Sequence, residues 1–316
     1  MLKQYVSIDV WDQPEGGNRV FFADGLRIDF DVRLIPEFNR ATFTIYNMNN
    51  AQITSLMDGD RYVTLKTRLH DGRIYTIANK FYVNNATDQV IAPDRITKLF
   101  CQDKLRKLYS EQQVDLEIKY PSLSNMIDQV LDSTGHEGAR VFTSFPIGLV
   151  DELGKAPSRP QHGNVQQCLR RLGNEFNFET YTYEGGYYFM YKPDISNVAS
   201  TDLATRAPDV MLQTQAMRAN PKIGIANATI NSNLDPRIRP TSLIDISQLF
   251  TIEADADEST LQLANNFLKN FSNYNKYQSF AVQHKGSNYT AEWSTIINAL
   301  SPTSGKLMKT VAWGGQ

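Results

Sequence analysis

"LRIDFDVRL", residues Leu26 to Leu34, decides the fold. Leu26, Ile28, Phe30, Val32 and Leu34 fall on one face of an extended chain, and Arg27, Asp29, Asp31 and Arg33 fall on the other. Such a period of two marks a half-buried antiparallel strand, because successive side chains of a strand point to opposite faces. The alternation recurs on the C-terminal side, in "ATFTIYN" (Ala41, Phe43, Ile45), in "YVTLKTRLH" (Val63, Leu65, Leu69) and, less cleanly, in "RIYTIANKFYV". "DGD" (58–60) and "HDG" (70–72) supply turns between these runs. The first hundred residues therefore read almost wholly as strands, spaced as in a closed or nearly closed β-barrel or sandwich.

The character changes after "PDRITKLFCQDKL". A strand, "VDLEIK", is followed by "PSLSNMIDQVLDSTG", where Leu123, Ile127, Val130 and Leu131 have helical spacing, Ser122 or Ser124 caps the start and Gly135 suits the left-handed end. "NVQQCLRRLGNEF" is the clearest helix, with Asn164 as N-cap, Gln167 three residues on, and Val165, Cys168, Leu169, Leu172 and Phe176 on one stripe. "FNFETYTYEGGYYFMYKPD" then reads as two aromatic strands around Glu184-Gly185-Gly186. After a linker-like stretch over 194–208, strands return in "KIGIANATINSN", "TSLIDIS", "KYQSFAVQHK" and "YTAEWSTIINAL", with one amphipathic helix expected over 257–271. No fixed-period repeat appears, which argues against a solenoid or propeller.

Composition narrows the function. The chain has 316 residues, 41% apolar and 21% charged, which suits two or three folded domains rather than a disordered chain. Its 32 basic and 34 acidic residues give a net charge of −2, with no excess of Lys and Arg for tight nucleic-acid binding. "MLKQYVSIDVWDQPEGG" turns polar too soon for a signal peptide or anchor, and no apolar run approaches the roughly 18 residues of a membrane span. No membrane insertion is expected, and Cys101 and Cys168, far apart, read as reduced thiols in a cytoplasm-like compartment.

Motifs for chemistry are sparse. His70, His136, His162 and His284 lack partners at metal-ligand spacing, and His70 and His284 read as solvated turn histidines. There is no GxSxG, Walker A or GxGxxG pattern. Acidic pairs from "DADE" or "VDE" are the frequency expected by chance among 34 acids, and the tyrosines from Tyr181 to Tyr191 read as hairpin packing before a sugar platform. Arg170 and Arg171 read as a solvated rim. No cofactor, metal or catalytic residue is assigned. One stretch stands out: "NSNLDPRIRPTSLIDIS" holds Arg237 and Arg239 between Pro236 and Pro240 in a stiff corner between two strands.

Several blocks resemble, in order, those of the baseplate hub proteins of contractile-tailed bacteriophages. They are "RATFTIYNMNNAQITSLMDGDRYVTLKT", "PDRITKLFCQD", "QQCLRRLGNEFNFETYTYEGGYYFMYKPD", "NSNLDPRIRPTSLIDIS" and "SFAVQHKGSNYTAEWSTIINAL". The family's "I-Y-N" signature before a short connection is Ile45-Tyr46-Asn47 here, and its "L-D-P" turn is Leu234-Asp235-Pro236, with Thr241 where a Gly is usual. Its terminal pattern is matched by Val282, His284, Gly286, Glu292 and Trp293.

The resemblance implies a mainly β fold with an α+β insertion: two tail-tube-like β-barrel domains, over 1–104 and 208–316, flanking a smaller α+β domain over 105–207. It implies a non-enzymatic virion protein of the tail baseplate, assembled in the host cytoplasm. Three copies would form a pseudo-sixfold ring joining the sixfold tail tube protein to the threefold central spike protein, beside baseplate wedge or other hub proteins. DNA would pass the lumen without specific binding. Asp235, Pro236, Arg237, Arg239 and Pro240 are then expected at a subunit or tube contact. A tail-tip cell-wall hydrolase and a glycan-binding tail module are the competing expectations.

Overall fold

The computed structural model describes residues 5–15, 17–36, 38–69, 71–105, 111–118, 122–135, 138–143, 145, 150, 159–183, 186–192, 207–219, 221–223, 227–249, 276–290 and 293–300. The first third runs β1 (Val6–Trp11), β2 (Arg19–Ala23), β3 (Ile28–Leu34), β4 (Arg40–Tyr46), α1 (Asn50–Met57), β5 (Tyr62–Arg68), β6 (Ile74–Ile91) and β7 (Asp94–Gln102). The middle runs β8 (Gln113–Ile118), α2 (Leu123–Asp132), β9 (Arg140–Thr143), β10 (Arg159–Asn164), α3 (Val165–Phe176), β11 (Phe178–Tyr183) and β12 (Gly186–Tyr191). The last third runs β13 (Val210–Met211), β14 (Lys222–Ile223), β15 (Asn227–Asn233), β16 (Leu243–Asp245), β17 (Lys276–Ser287) and β18 (Ser294–Leu300). The fold is mainly β, as expected. The helix expected over 257–271, the linker up to 206, His70 and His136 lie outside the described residues.

β3 behaves as its alternation requires: Ile28, Phe30, Val32 and Leu34 are buried while Arg33 is exposed. One sheet then joins the first and last thirds, in the order β14-β15-β18-β17-β3-β4-β7-β6-β5-β1-β2, because β17 pairs antiparallel with β3. Phe43, Leu65, Ile230, Ile244, Val282 and Ile297 therefore share one hydrophobic core. The middle third has a second core, in which α2 and α3 bury Ile127, Val130, Leu169 and Leu172 against Phe178 and Phe189.

The helix ends follow their sequence. Ser122 accepts from Asn125 N at 3.2 Å, Asn164 and Gln167 form a reciprocal capping box, and Gly135 adopts φ +69°. One element departs from the reading of the first hundred residues as strands. The stretch after Asn47 is α1, opened by an Asn49–Gln52 capping box and burying only Ile53 and Leu56. Two buried side chains over eight residues leave no helical stripe to read, and the capping box was the available signal.

The topology contains a two-copy repeat. β4-β7-β6-β5 and β15-β18-β17-β16 have the same order, and β3 and β14 flank the two sets in the same way. The registers agree as well. β6 bulges against β7 between Val83 and Asn85, and β17 bulges against β18 between Ser279 and Ala281. Tyr82 opposite Gln102 thus corresponds to Gln278 opposite Leu300, and Asp88 opposite Thr97 to His284 opposite Thr295. Thr97 and Thr295 match across these strands, and Ala41 and Thr42 of β4 match Ala228 and Thr229 of β15, but most aligned positions differ, so pleat and register carry the repeat more than the residues do.

Candidate assembly corner

In both units the strand that follows the flanking strand ends in the same backbone contact. Asn47 N donates to Arg95 O at 2.7 Å, and at the equivalent place Leu234 N donates to Trp293 O at 3.2 Å. Asn47, the last residue of Ile45-Tyr46-Asn47, and Leu234, the first of Leu234-Asp235-Pro236, therefore occupy equivalent strand ends. Asn47 has φ +60°, a region where Asn is better tolerated than most residues. Its side chain also accepts from Arg95 N at 2.9 Å and donates to Asp94 Oδ1 at 3.0 Å. Arg95 in turn binds Asp88 through two nitrogens, holding that carboxyl below the ordinary range.

In the second unit the strand end becomes the Asp235–Pro240 corner. Asp235 N donates to Thr295 Oγ1 at 2.9 Å, and the Asp235 carboxylate accepts from Arg237 N, Nε and Nη2 at 3.1, 2.8 and 2.7 Å. Ser242 Oγ accepts from Arg239 N at 3.1 Å, and Ser279 Oγ donates to Arg239 O at 2.5 Å. Thr241, where the resembled family carries Gly, has φ +74°. That region penalises a β-branched residue and suits glycine, which gives the usual Gly a backbone reason.

The two arginines part company. Arg237 remains 61% exposed in its side chain, ion-paired to Asp235, whose hydrogen bonds raise the guanidinium pKa. Arg239 is not displayed as the flanking prolines suggested. It turns inward and donates to Thr76 O at 2.8 Å and Ile77 O at 3.4 Å on β6. Pro236 and Pro240 are buried. Of the five expected contact residues, Arg237 alone presents an exposed side chain, while Arg239 ties the corner to the other unit.

His284 corrects a second expectation. It is no solvated turn residue: it lies in the middle of β17, fully buried, with Nδ1 3.0 Å from Thr295 Oγ1. Burial first, then the positive charge of Arg239 in the corner, push its pKa down to about 3. The strand was longer than its apolar signal, because Gly286 and Ser287 continue the ladder with β3.

Beside the corner, all three parts of the chain meet. Tyr183 OH lies 3.3 Å from Thr241 Oγ1. The buried Asp103 accepts from Leu105 N at 2.9 Å, Asn39 Nδ2 at 2.9 Å and Thr182 Oγ1 at 3.0 Å, and Asn39 Nδ2 also reaches Thr182 O. Burial raises the Asp103 pKa against the pull of those donors. Sequence reading missed this cluster, since Asn39, Asp103 and Thr182 share no motif and are joined only by folding.

The remaining candidates read as packing. Tyr181, Tyr187, Phe189 and Tyr191 are buried, and Tyr183 stacks on Tyr188 at 3.7 Å, so the aromatic hairpin fills the fold. Arg170 and Arg171 are exposed, and Cys101 and Cys168 are buried thiols. "DADE" and the acids of "VDE" lie outside the described residues.

No protein-family model matches the chain, and no curated protein matches it. Solved structures do. A tail protein from Neisseria meningitidis MC58 aligns with TM-score 0.54 at 10% identity, covering 94% of this chain and 97% of that one. The 43 kDa tail protein of prophage MuSo2 from Shewanella oneidensis gives TM-score 0.54 at 9% identity, over 95% and 98%. An E. coli protein described as a type VI secretion component with similarity to the T4 tail proteins gp27 and gp5 gives 0.53 at 10%, over 87% and 73%. The chain thus shares the fold of phage tail and tail-like secretion proteins along nearly its whole length.

Proposed function

We propose that this chain is a structural baseplate hub of a contractile tail, non-enzymatic, acting as a homotrimer. The observation that carries the reading is the internal repeat: one chain holds the same β unit twice, so three chains present six near-equivalent units. Such a ring matches a sixfold tail tube on one side and a threefold central spike on the other, with wedge or other hub proteins around it. The fold shared with phage tail proteins supports it. A net charge of −2 suits a lumen that DNA crosses without being held. The same hub would serve a secretion machine, a setting favoured by the similarity to the type VI component.

Arg237, exposed at the corner, is the residue that this reading assigns to the tube or subunit contact. Light scattering of the purified chain tests the reading. A trimer weighs three times 35.8 kDa, about 107 kDa. A monomer both alone and with spike and tube proteins overturns it, and turbidity loss on peptidoglycan would put the hydrolase reading in its place.

A further inference from the structure

We infer that the distal half of β6 is a docking edge for β14 of a second copy of this chain. The inference rests on the ring reading for the number of copies and on the internal repeat for the contact itself.

β17 divides its outer edge between two neighbours. Lys276–Gln278 pair with β16, and Val282–Ser287 pair with β3, which is the junction between the two units. β6 is built alike. Its first part, Ile74–Tyr82, pairs with β5, but Ala86–Ile91, equivalent to Val282–Ser287, pair with β7 alone among the described residues. In the β17·β3 junction Asn288 N donates to Ile28 O, so by alternation the backbones of Val282, His284 and Gly286 face β3. The corresponding groups on β6 are those of Ala86, Asp88 and Val90, which therefore point outward.

This edge is not blunted. "ATDQVI" holds neither Lys nor Pro, the usual guards of a free edge, and Val90 and Ile91 are 75% and 56% exposed. It is also held rigid, by Asp88 against Arg95 and Thr97. The complementary edge is at the other end of the same sheet. Lys222 and Ile223 of β14 pair with Thr229 and Ala228, as Asp31 and Val32 of β3 pair with Thr42 and Ala41. Inside the chain Asp31 faces Lys285 and Val32 faces His284. Between copies the same register sets Lys222 opposite Gln89 and Ile223 opposite Asp88. Among the described residues one chain thus satisfies this junction once internally and carries one unmatched half at each of two places. Such a head-to-tail contact closes into a ring when the rotation allows.

The experiment is oxidative cross-linking of the full chain bearing Gln89→Cys and Lys222→Cys, read on a denaturing gel. Both residues are exposed, and a directly opposed pair of this kind lies within disulfide reach, about 4.5 Å between Cα atoms. The native Cys101 and Cys168 are buried and do not compete. The expected result is covalent dimer and closed trimer, at least tenfold above an off-register control with Asn85→Cys and Lys222→Cys. A trimer by light scattering without that cross-link, or equal cross-linking in the control, overturns the edge pairing and leaves the ring. Register-specific cross-links that build open chains uphold the pairing and remove the threefold ring. A monomer without cross-links at every concentration overturns the pairing.

Discussion

Thr97 and Thr295 occupy the same place in the two β units, and each hydroxyl lies 3.0 Å from its cross-strand partner, Asp88 in one unit and His284 in the other. The partners differ because their surroundings differ. Asp88 stands beside Arg95 near an exposed hairpin end, where a carboxylate keeps its charge. His284 sits under the Asp235–Pro240 corner beside Arg239, where a second positive charge is disfavoured and a neutral imidazole fits.

His284 gives a pH prediction. Its pKa in the fold, about 3, is below the ordinary 6.5, so the unfolded chain binds the proton first. Stability from this site is present above about pH 6.5 and is lost as pH falls toward 3. Urea unfolding from pH 7.5 to 4 is expected to show a steeper decline in the native chain than in His284→Gln. Parallel declines would remove His284 as the cause.

Arg239→Ala is expected to destabilise by about 1.5–3 kcal/mol, the range for hydrogen bonds made by a charged group, since Thr76 O and Ile77 O lose a donor. Arg237→Ala, which breaks an exposed pair, is expected to cost under about 1 kcal/mol. Arg237→Glu should instead weaken assembly with the tube or neighbouring subunit while leaving the melting temperature near the native value. Thermal unfolding and light scattering on the same samples separate the effects.

Thr241→Gly relieves a β-branched residue at φ +74° and gives up a 3.3 Å contact with Tyr183. A left-handed conformation costs a non-glycine residue about 1–2 kcal/mol, and glycine returns part of that as unfolded-state entropy. A net gain of about 0.5–1 kcal/mol is expected in denaturant unfolding, and a loss of stability would show that the Thr241 hydroxyl outweighs the backbone.

Asp103→Asn is expected to cost about 2 kcal/mol despite its equal size. Asp103 accepts from three donors through two oxygens, and an amide sets a nitrogen against Asn39 and Thr182 or against Leu105. Because Thr182 belongs to the middle third, limited proteolysis should cut that region faster in Asp103→Asn. Unchanged cleavage would show that the cluster does not hold the middle unit in place.

The strands, the two longer helices and their caps were legible because each depends on residues close in sequence. "LRIDFDVRL" buries one face whatever it meets, and Asn164 and Gln167 cap a helix from three residues apart. α1 was not legible, since two buried side chains give no period. The residues of the corner were singled out from sequence, but the directions of Arg237 and Arg239 were not, because equal spacing around Ile238 says nothing of what lies beyond the turn.

By itself the sequence determined which stretches extend, which coil and where the chain must turn, because hydrophobic period and capping act over a few residues. Only the tertiary structure decided that β17 joins β3, that His284 is buried beneath a corner some fifty residues earlier in the chain, and that the molecule repeats itself. Backbone hydrogen bonds and register define that repeat, and a ladder accepts almost any side chain, so a few scattered matches, among them Thr97 with Thr295 and Ala41-Thr42 with Ala228-Thr229, do not announce the shared fold.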